Sequence, residues 1–196
     1  MDIETLFERP ADLSLLPPEE RILIAALDCI AEDGLAGATV RSIAGRAGLN
    51  AAAVNYYFRS KEKLIEAALQ RAWTHVSEDL DRIMVESAGA SEGLVFASRF
   101  LLEGAFRYPN IIRALILEHP KLRVEAALYF RTHLERLQGP AAQDMDTGLG
   151  TALLLSFAMF MGIAPDAAAA LVGEDLRDQA ARDRIAARAA PRFFTT

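Results

Sequence analysis

Asn55, Tyr56 and Tyr57 stand side by side in the stretch GLNAAAVNYYFRSKEKL, residues 48–64, with Arg59, Lys61 and Lys63 close behind and Arg41 one short element ahead. An amide, two phenols and a set of cations are groups that hydrogen-bond and pair with anions. A segment serving only helix stability would not set Asn55, Tyr56, Tyr57 and Phe58 together, because Asn and the aromatics rank below Ala and Leu as helix formers. Some of these side chains therefore face a partner outside the fold.

The charge distribution points the same way. The whole chain of 196 residues carries a formal charge of −6, which argues against nonspecific binding to nucleic acid. Between Thr39 and Lys63, however, Arg41, Arg46, Arg59, Lys61 and Lys63 face a single acid, Glu62, so that stretch is net +4 and the remainder −10. A compact basic patch on an acidic body suits a protein that docks one face on a polyanion.

Catalytic and metal-binding chemistry has little support. His75, His119 and His133 lack ligand spacing such as an i, i+4 pair. Cys29 lies on an apolar helix face and reads as a small core residue. No glycine loop for phosphates and no nucleophile elbow is present. The sequence reads as a non-enzyme with no cofactor and no metal.

The elements that position these groups are all helical. Leu23, Ala26, Leu27, Ile30 and Ala31 mark a first helix that should stop at Gly34. Thr39 is placed to cap a short helix over 40–47, Gly48 to make a turn, and Asn50 to cap a helix over 51–58. Ser60 caps a fourth with an apolar stripe through Ile65, Leu69, Ala72, Val76, Leu80 and Ile83; over 61–86 it would be about 39 Å long. Helices are expected over 92–107, 110–118, 122–137 and 146–163, with one last helix from beyond Asp166 to about Ala190, broken from their neighbours by Pro109, Pro120, Pro140, Pro165 and Pro191. The expected architecture is all-α, about nine helices. A flexible arm (1–18) precedes a three-helix DNA-binding domain (19–65), which a long helix joins to a helical bundle for ligand binding and dimerisation (66–196). The run Leu149–Ala164 is shorter than the roughly 20 residues of a membrane span. With one cysteine and an acidic, proline-punctuated residue 1–20 segment in place of a leader, the expected address is the cytoplasm.

Short helix, glycine turn, short helix is the helix-turn-helix arrangement. Ala44 is small enough for the closest approach of its two helices, and Ile43, Ala47, Leu49, Val54 and Phe58 form the apolar wedge. With Val54 and Phe58 inward, Asn55 and at least one tyrosine must point elsewhere. The combination of TVRSIAGRAGLN, AAAVNYYF and RSKEKLIEAAL, preceded by a helix ending in EDG, resembles the DNA-binding domain of the TetR family of bacterial transcription regulators over about residues 20–70. The resemblance implies a homodimer that binds double-stranded operator DNA, usually as a repressor, and is released by a small molecule held in the C-terminal domain.

On that footing Asn55 can take the N6 and N7 edge of an adenine, a contact that discriminates by roughly 1–3 kcal/mol. Tyr56 or Tyr57 can donate to a phosphate and lay its ring on a thymine methyl, although Tyr57 is equally suited to pack beside Phe58. Thr39, Arg41, Ser42 and Lys61 are placed for phosphates, which set register. Many relatives carry Ser, Thr, Lys or Gly early in the recognition helix. This chain has Ala51, Ala52 and Ala53, so base reading falls on Asn50, Asn55 and the tyrosines, with Ala51 and Ala52 on the contact surface.

A two-fold operator with half-sites about 34–36 Å apart needs a dimer. Gly148, Ala152, Leu155 and Met159 form a candidate interface stripe, completed by Leu176 of the last helix. Phe96, Phe100, Leu102, Phe106, Phe130, Met159 and Phe160, with Tyr129 and Phe157, are candidates to line a site for an apolar or aromatic effector. Arg99, Glu103, His119 and His133 are candidate polar hooks. Aromatic stripes at helical spacing are ordinary core filling, which is the competing reading for most of them. A helical adaptor that sets the basic patch on an acidic protein, or an activator in place of a repressor, are the alternative functions.

Overall fold

The computed structural model describes residues 13–86, 90–138 and 147–193. A 3-10 turn at Leu13–Leu15 leads into ten α-helices: α1 (Pro18–Gly37), α2 (Val40–Arg46), α3 (Ala51–Phe58), α4 (Lys61–Glu86), α5 (Ala90–Arg107), α6 (Pro109–Glu118), α7 (Pro120–Gln138), α8 (Thr147–Ile163), α9 (Pro165–Val172) and α10 (Gln179–Ala189). The first twelve residues of the expected arm, and the expected helix start at Asp146, lie outside the described residues.

The starts of α2, α3 and α4 follow from local chemistry. Thr39 Oγ1 accepts the Ser42 N–H at 3.1 Å while Ser42 Oγ accepts the Thr39 N–H at 3.0 Å, a reciprocal capping box. Asn50 Oδ1 accepts the Ala53 N–H at 2.9 Å, and Ser60 Oγ the Lys63 N–H at 3.2 Å. Gly48 has φ 66°, and a Cβ there would sit 2.8 Å from Arg21 Nη2. That guanidinium donates to the Ala47 carbonyl at 2.6 Å, pinning the turn to α1. Both the positive φ and the close guanidinium call for glycine.

A continuous apolar core runs from Ile22, Ile30, Ile43 and Val54 through Leu64, Leu69 and Leu80 to Phe100, Ala114 and Phe130. α1 packs on α4 and α6 as well as on α2 and α3, while α5 is the hub of the remainder, packed on α8, α10, α4 and α7. A second cluster, Leu102, Met161, Ala168, Leu176, Ile185 and Ala186, seats α9 and α10 against α5 and α8. Buried polar groups reinforce it: Arg182 donates to Glu103 at 2.7 and 3.0 Å, and Arg107 adds a bond at 2.6 Å. Burial pushes the Glu103 carboxyl up, but the two guanidinium groups outweigh it and hold it below the usual carboxylate range.

The expected single helix after Asp166 is a correction. It is broken at Gly173, which takes φ 72° and ends α9 in a left-handed cap, and Asp178 then caps α10 through a 3.0 Å bond to the Ala180 N–H. The break turns Leu176 into the second cluster, where it is 2% exposed. It is a core residue of its own subunit, so its expected place in a dimer interface does not hold.

Candidate nucleic-acid interface

Val54 and Phe58 point into the core, one helical turn apart, and leave the outer face of α3 to Asn55, Tyr56 and Tyr57. Tyr56 is 81% exposed and Tyr57 39%. Their rings meet edge to face at 5.3 Å, and Tyr57 leans on Phe58 at 6.5 Å. Tyr57 thus combines the packing role and the outward one. Among the described residues, the Asn55 amide and both tyrosine hydroxyls make no hydrogen bond within the molecule. Ala51 and Ala52 are exposed and give the start of α3 a smooth surface.

The polar residues flanking α3 fall into two groups. Thr39, Ser42, Asn50 and Lys61 hold the scaffold: the first three are engaged in caps, Ser42 Oγ also reaches the Gly37 carbonyl at 3.1 Å, and the Lys61 ammonium donates to the Leu35 carbonyl at 3.1 Å. Arg46 is paired with Glu32. Arg41, Arg59 and Lys63 are exposed and form no ion pair among the described residues. Arg59 and Lys63 fall outside the expected contact set, although they are prominent in the basic stretch. Arg59 has φ 61°, a left-handed conformation that costs a side-chain-bearing residue about 1 kcal/mol, and its N–H closes α3 on the Asn55 carbonyl at 2.9 Å.

α1, α4, α5 and α6 line a half-open cavity of about 470 Å³. Its wall is mainly apolar: Ile24 and Leu27 of α1, Ala72 and Val76 of α4, Phe100, Leu101, Gly104 and Ala105 of α5, and Tyr108, Ile111, Ile112 and Leu115 at α6. Asp28, Arg71, His75 and Asp79 join them and, with the Tyr108 hydroxyl, are the titratable groups of the lining. Arg71 is bound to Glu20 of α1, its Nε donating at 2.5 Å. Asp79 is 2% exposed, with His75 Nε2 at 3.6 Å and Arg82 Nη2 at 3.4 Å. Burial pushes its carboxyl above the usual range, against the opposing pull of His75 and Arg82.

Of the residues expected to line an effector site, Phe100 is on this wall. Leu102 and Phe106 lie on the far side of α5 in the second cluster, with the Arg182 guanidinium 4.4 Å over the Phe106 ring. Phe130 packs on Trp73 at 5.9 Å, Phe96 lies under Arg99, Met159 is half-buried and Phe160 is 41% exposed. The candidate hooks are also engaged elsewhere: Glu103 with Arg182, Arg99 with Asp183, and His133 with Asp81 at 2.7 Å. His119 lines a separate cleft with Glu62, Glu66 and Lys121. α5 is apolar on several faces, so its sequence does not reveal which face meets a void, and the sequence places α1 wholly in the DNA-binding domain.

Residues 22–68 match the model of the bacterial regulatory proteins of the tetR family. The match covers the helix-turn-helix and its flanks, about a quarter of the chain. The chain is similar to the BetI regulator of Klebsiella pneumoniae (strain 342), 26% identical over 168 residues that span 73% of this chain and 81% of that one. It resembles the crystal structure of a transcriptional regulator of Streptomyces coelicolor A3(2), at 26% identity and TM-score 0.62, over 88% of this chain and 98% of the other. Bacillus subtilis FadR, solved in complex with stearoyl-CoA, shares the fold at 17% identity and TM-score 0.67 over 87% and 96% of the two chains. The chain is a DNA-binding transcriptional regulator.

On α8 the exposed apolar stripe is Leu149, Leu153 and Phe160, with Ala152 and Ser156 between them. Ala152 of the expected stripe belongs to it. Gly148, Leu155 and Met159 are half-buried, and Leu155 packs on the core. The outward face is rotated from the expected one by about one residue, 100° on a helix.

Proposed function

We propose that this regulator binds a two-fold operator as a cytoplasmic homodimer and represses from it until a small apolar or aromatic ligand enters the cavity. The observation that carries the DNA side is the row of exposed Asn55, Tyr56 and Tyr57, polar tips unsatisfied among the described residues, beside the unpaired Arg41, Arg59 and Lys63. Asn55 and the tyrosines read bases, with Asn50, Ala51 and Ala52 against the groove edge. Arg41, Arg59 and Lys63 neutralise phosphates. Thr39, Ser42 and Lys61 lie at the same surface, but their side chains serve first to fix α2 and α4. Dimerisation uses the α8 stripe of Leu149, Ala152, Leu153, Ser156 and Phe160.

The cavity supports a direct coupling to the DNA-binding unit. Residues 19–65 form the DNA-binding unit and 66–196 the ligand and dimer unit, but α1 lends Ile24, Leu27 and Asp28 to the cavity wall. The Asn110 amide of α6 also donates to the Ala31 carbonyl of α1 at 2.9 Å. A ligand wedged between α1 and α6 therefore acts on the DNA-binding unit itself. It releases DNA only through its differential affinity for the two arrangements, each 1.4 kcal/mol of which is about tenfold in operator binding.

The test is selection of bound sequences from a random duplex pool, followed by binding titrations over a salt series. A palindromic consensus bound at least a hundredfold more tightly than scrambled DNA is expected. Equal affinity for both at every salt concentration would refute the operator reading.

A further inference from the structure

Resting on the reading of the cavity as the effector site, we propose that its ligand is an apolar amine. The hydrocarbon or aryl body fills the space between α1, α4, α5 and α6, and the protonated nitrogen sits against the Asp79 carboxylate. Three observations lead there. The body of the cavity, around Ile24, Leu27, Val76, Leu101 and Ile111, offers only hydrocarbon, and its volume of about 470 Å³ suits a small organic molecule. Asp79 lines that cavity with its side chain 3% exposed, yet its nearest neighbours, Arg82 and His75, stand at 3.4 and 3.6 Å, well beyond the roughly 2.7–2.9 Å of a charge-assisted hydrogen bond. Both neighbours are themselves half in solvent, Arg82 53% and His75 52% exposed in the side chain.

A buried carboxylate compensated at that distance is short of the interactions that would offset its desolvation. The remaining cation on the wall does not make up the difference, because Arg71 is committed to Glu20. A second carboxyl, Asp28, is 9% exposed on the α1 part of the wall. An anionic ligand would meet two buried carboxyl groups, and a neutral one would leave Asp79 as it stands. A cation supplies what the site lacks.

The experiment uses three ten-carbon probes with the same tail, decylamine, decanol and decanoate. Each is titrated below its aggregation concentration into the full-length protein by calorimetry at pH 7, where an alkylamine carries its proton. Decylamine is expected to bind at least tenfold more tightly than decanol, with decanoate weakest. Asp79→Asn should bring the amine within about twofold of the alcohol and leave decanol binding unchanged. Equal binding of amine and alcohol by the natural protein, preference for decanoate, or no binding of any probe would each overturn the proposal without recourse to a variant. An amine preference that survives in folded Asp79→Asn would overturn it as well. Operator release, followed in parallel, separates the two readings. Asp79-dependent amine binding that leaves operator affinity unchanged upholds the ligand class and removes the effector role, whereas release by decanol as readily as by decylamine upholds the effector role and removes the amine.

Discussion

The Lys61 ammonium donates to the Leu35 carbonyl at 3.1 Å, so the first residue of α4 is bound to the last turn of α1. Removing it as Lys61→Ala should cost about 1 kcal/mol of stability, the usual worth of such a bond, and weaken binding to every DNA sequence alike through a loosened scaffold. Lys63→Ala and Arg41→Ala should melt with the natural protein and instead lower the slope of log K against log salt on the two-fold operator by about 1.8 each, one phosphate per subunit. Thermal melts and a salt series on the same preparations distinguish the roles. A Lys61→Ala protein of unchanged melting point and reduced salt slope would make Lys61 a phosphate contact after all.

Arg59 sets backbone against side chain. At φ 61° a glycine is more comfortable than any other residue, so Arg59→Gly should stabilise the fold by up to about 1 kcal/mol while weakening DNA binding uniformly. Opposite signs in the melt and in the binding isotherm are the expected result. A stabilised variant with undiminished affinity would mean that the guanidinium touches no phosphate.

Asn55→Ala removes an outward amide that holds nothing in place within the subunit among the described residues. Its stability should stay within about 0.5 kcal/mol of the natural protein, as for other surface changes. Cognate operator should lose about 1–3 kcal/mol and the preference at one base position should flatten, with little change on unrelated DNA. A competition assay against operators varied one base pair at a time reads both quantities.

These predictions lean on a surface that local sequence already describes. Thr39, Gly48, Asn50 and Ser60 act within three or four residues of themselves, through caps and one turn, and the burial of Val54 and Phe58 then dictates where Asn55 and Tyr56 point. The cavity is different in kind. α5 and α8 are apolar around most of their circumference, so periodicity does not choose between the face of Phe100, which meets the void, and that of Leu102 and Phe106, which meets α8 to α10. The same ambiguity turned the α8 interface by one residue. Leu27 belongs to the apolar stripe that the sequence assigns to α1 and Ile24 lies outside it; that α6 lies across both is a matter of tertiary packing. The break at Gly173 was visible as a glycine in an otherwise helical run, and the GEDLRD that follows it favours a turn.

Glu103 and Asp79 should give opposite pH signatures. Glu103 is held below its ordinary value, so its contribution to stability is present above the unfolded carboxyl's pKa and is lost as pH falls through the lower folded value. Glu103→Gln leaves Arg182 buried without its partner and should cost about 3–5 kcal/mol at pH 7, a deficit that shrinks in acid. Asp79 is raised, so the folded state takes up its proton more readily and stability falls as pH rises from the unfolded value through the folded one. Asp79→Asn should therefore raise the melting point at pH 7 and lose that advantage below the unfolded carboxyl's pKa. Denaturant titrations across the acid range check both signs; a loss of stability in Asp79→Asn at pH 7 would mean that the ionised carboxylate is better compensated than its distances suggest.

Leu153 and Leu176 separate dimerisation from folding. Leu153 is 47% exposed on the α8 stripe, whereas Leu176 is 2% exposed in the second cluster. Leu153→Glu places a charge at the centre of the proposed interface and none in the subunit core, so sedimentation equilibrium should show monomers whose helical circular dichroism is intact. Those monomers should keep the weak affinity for an isolated half-site and lose the gain of tenfold or more that a linked second half-site gives the dimer. Leu176→Ala should do the reverse, costing about 2–5 kcal/mol through the cavity it leaves while the folded protein remains dimeric. If Leu153→Glu sediments as the natural protein does, the two copies meet through another face, and the neighbouring exposed stripe of Val124 and Leu128 on α7 becomes the surface to alter next.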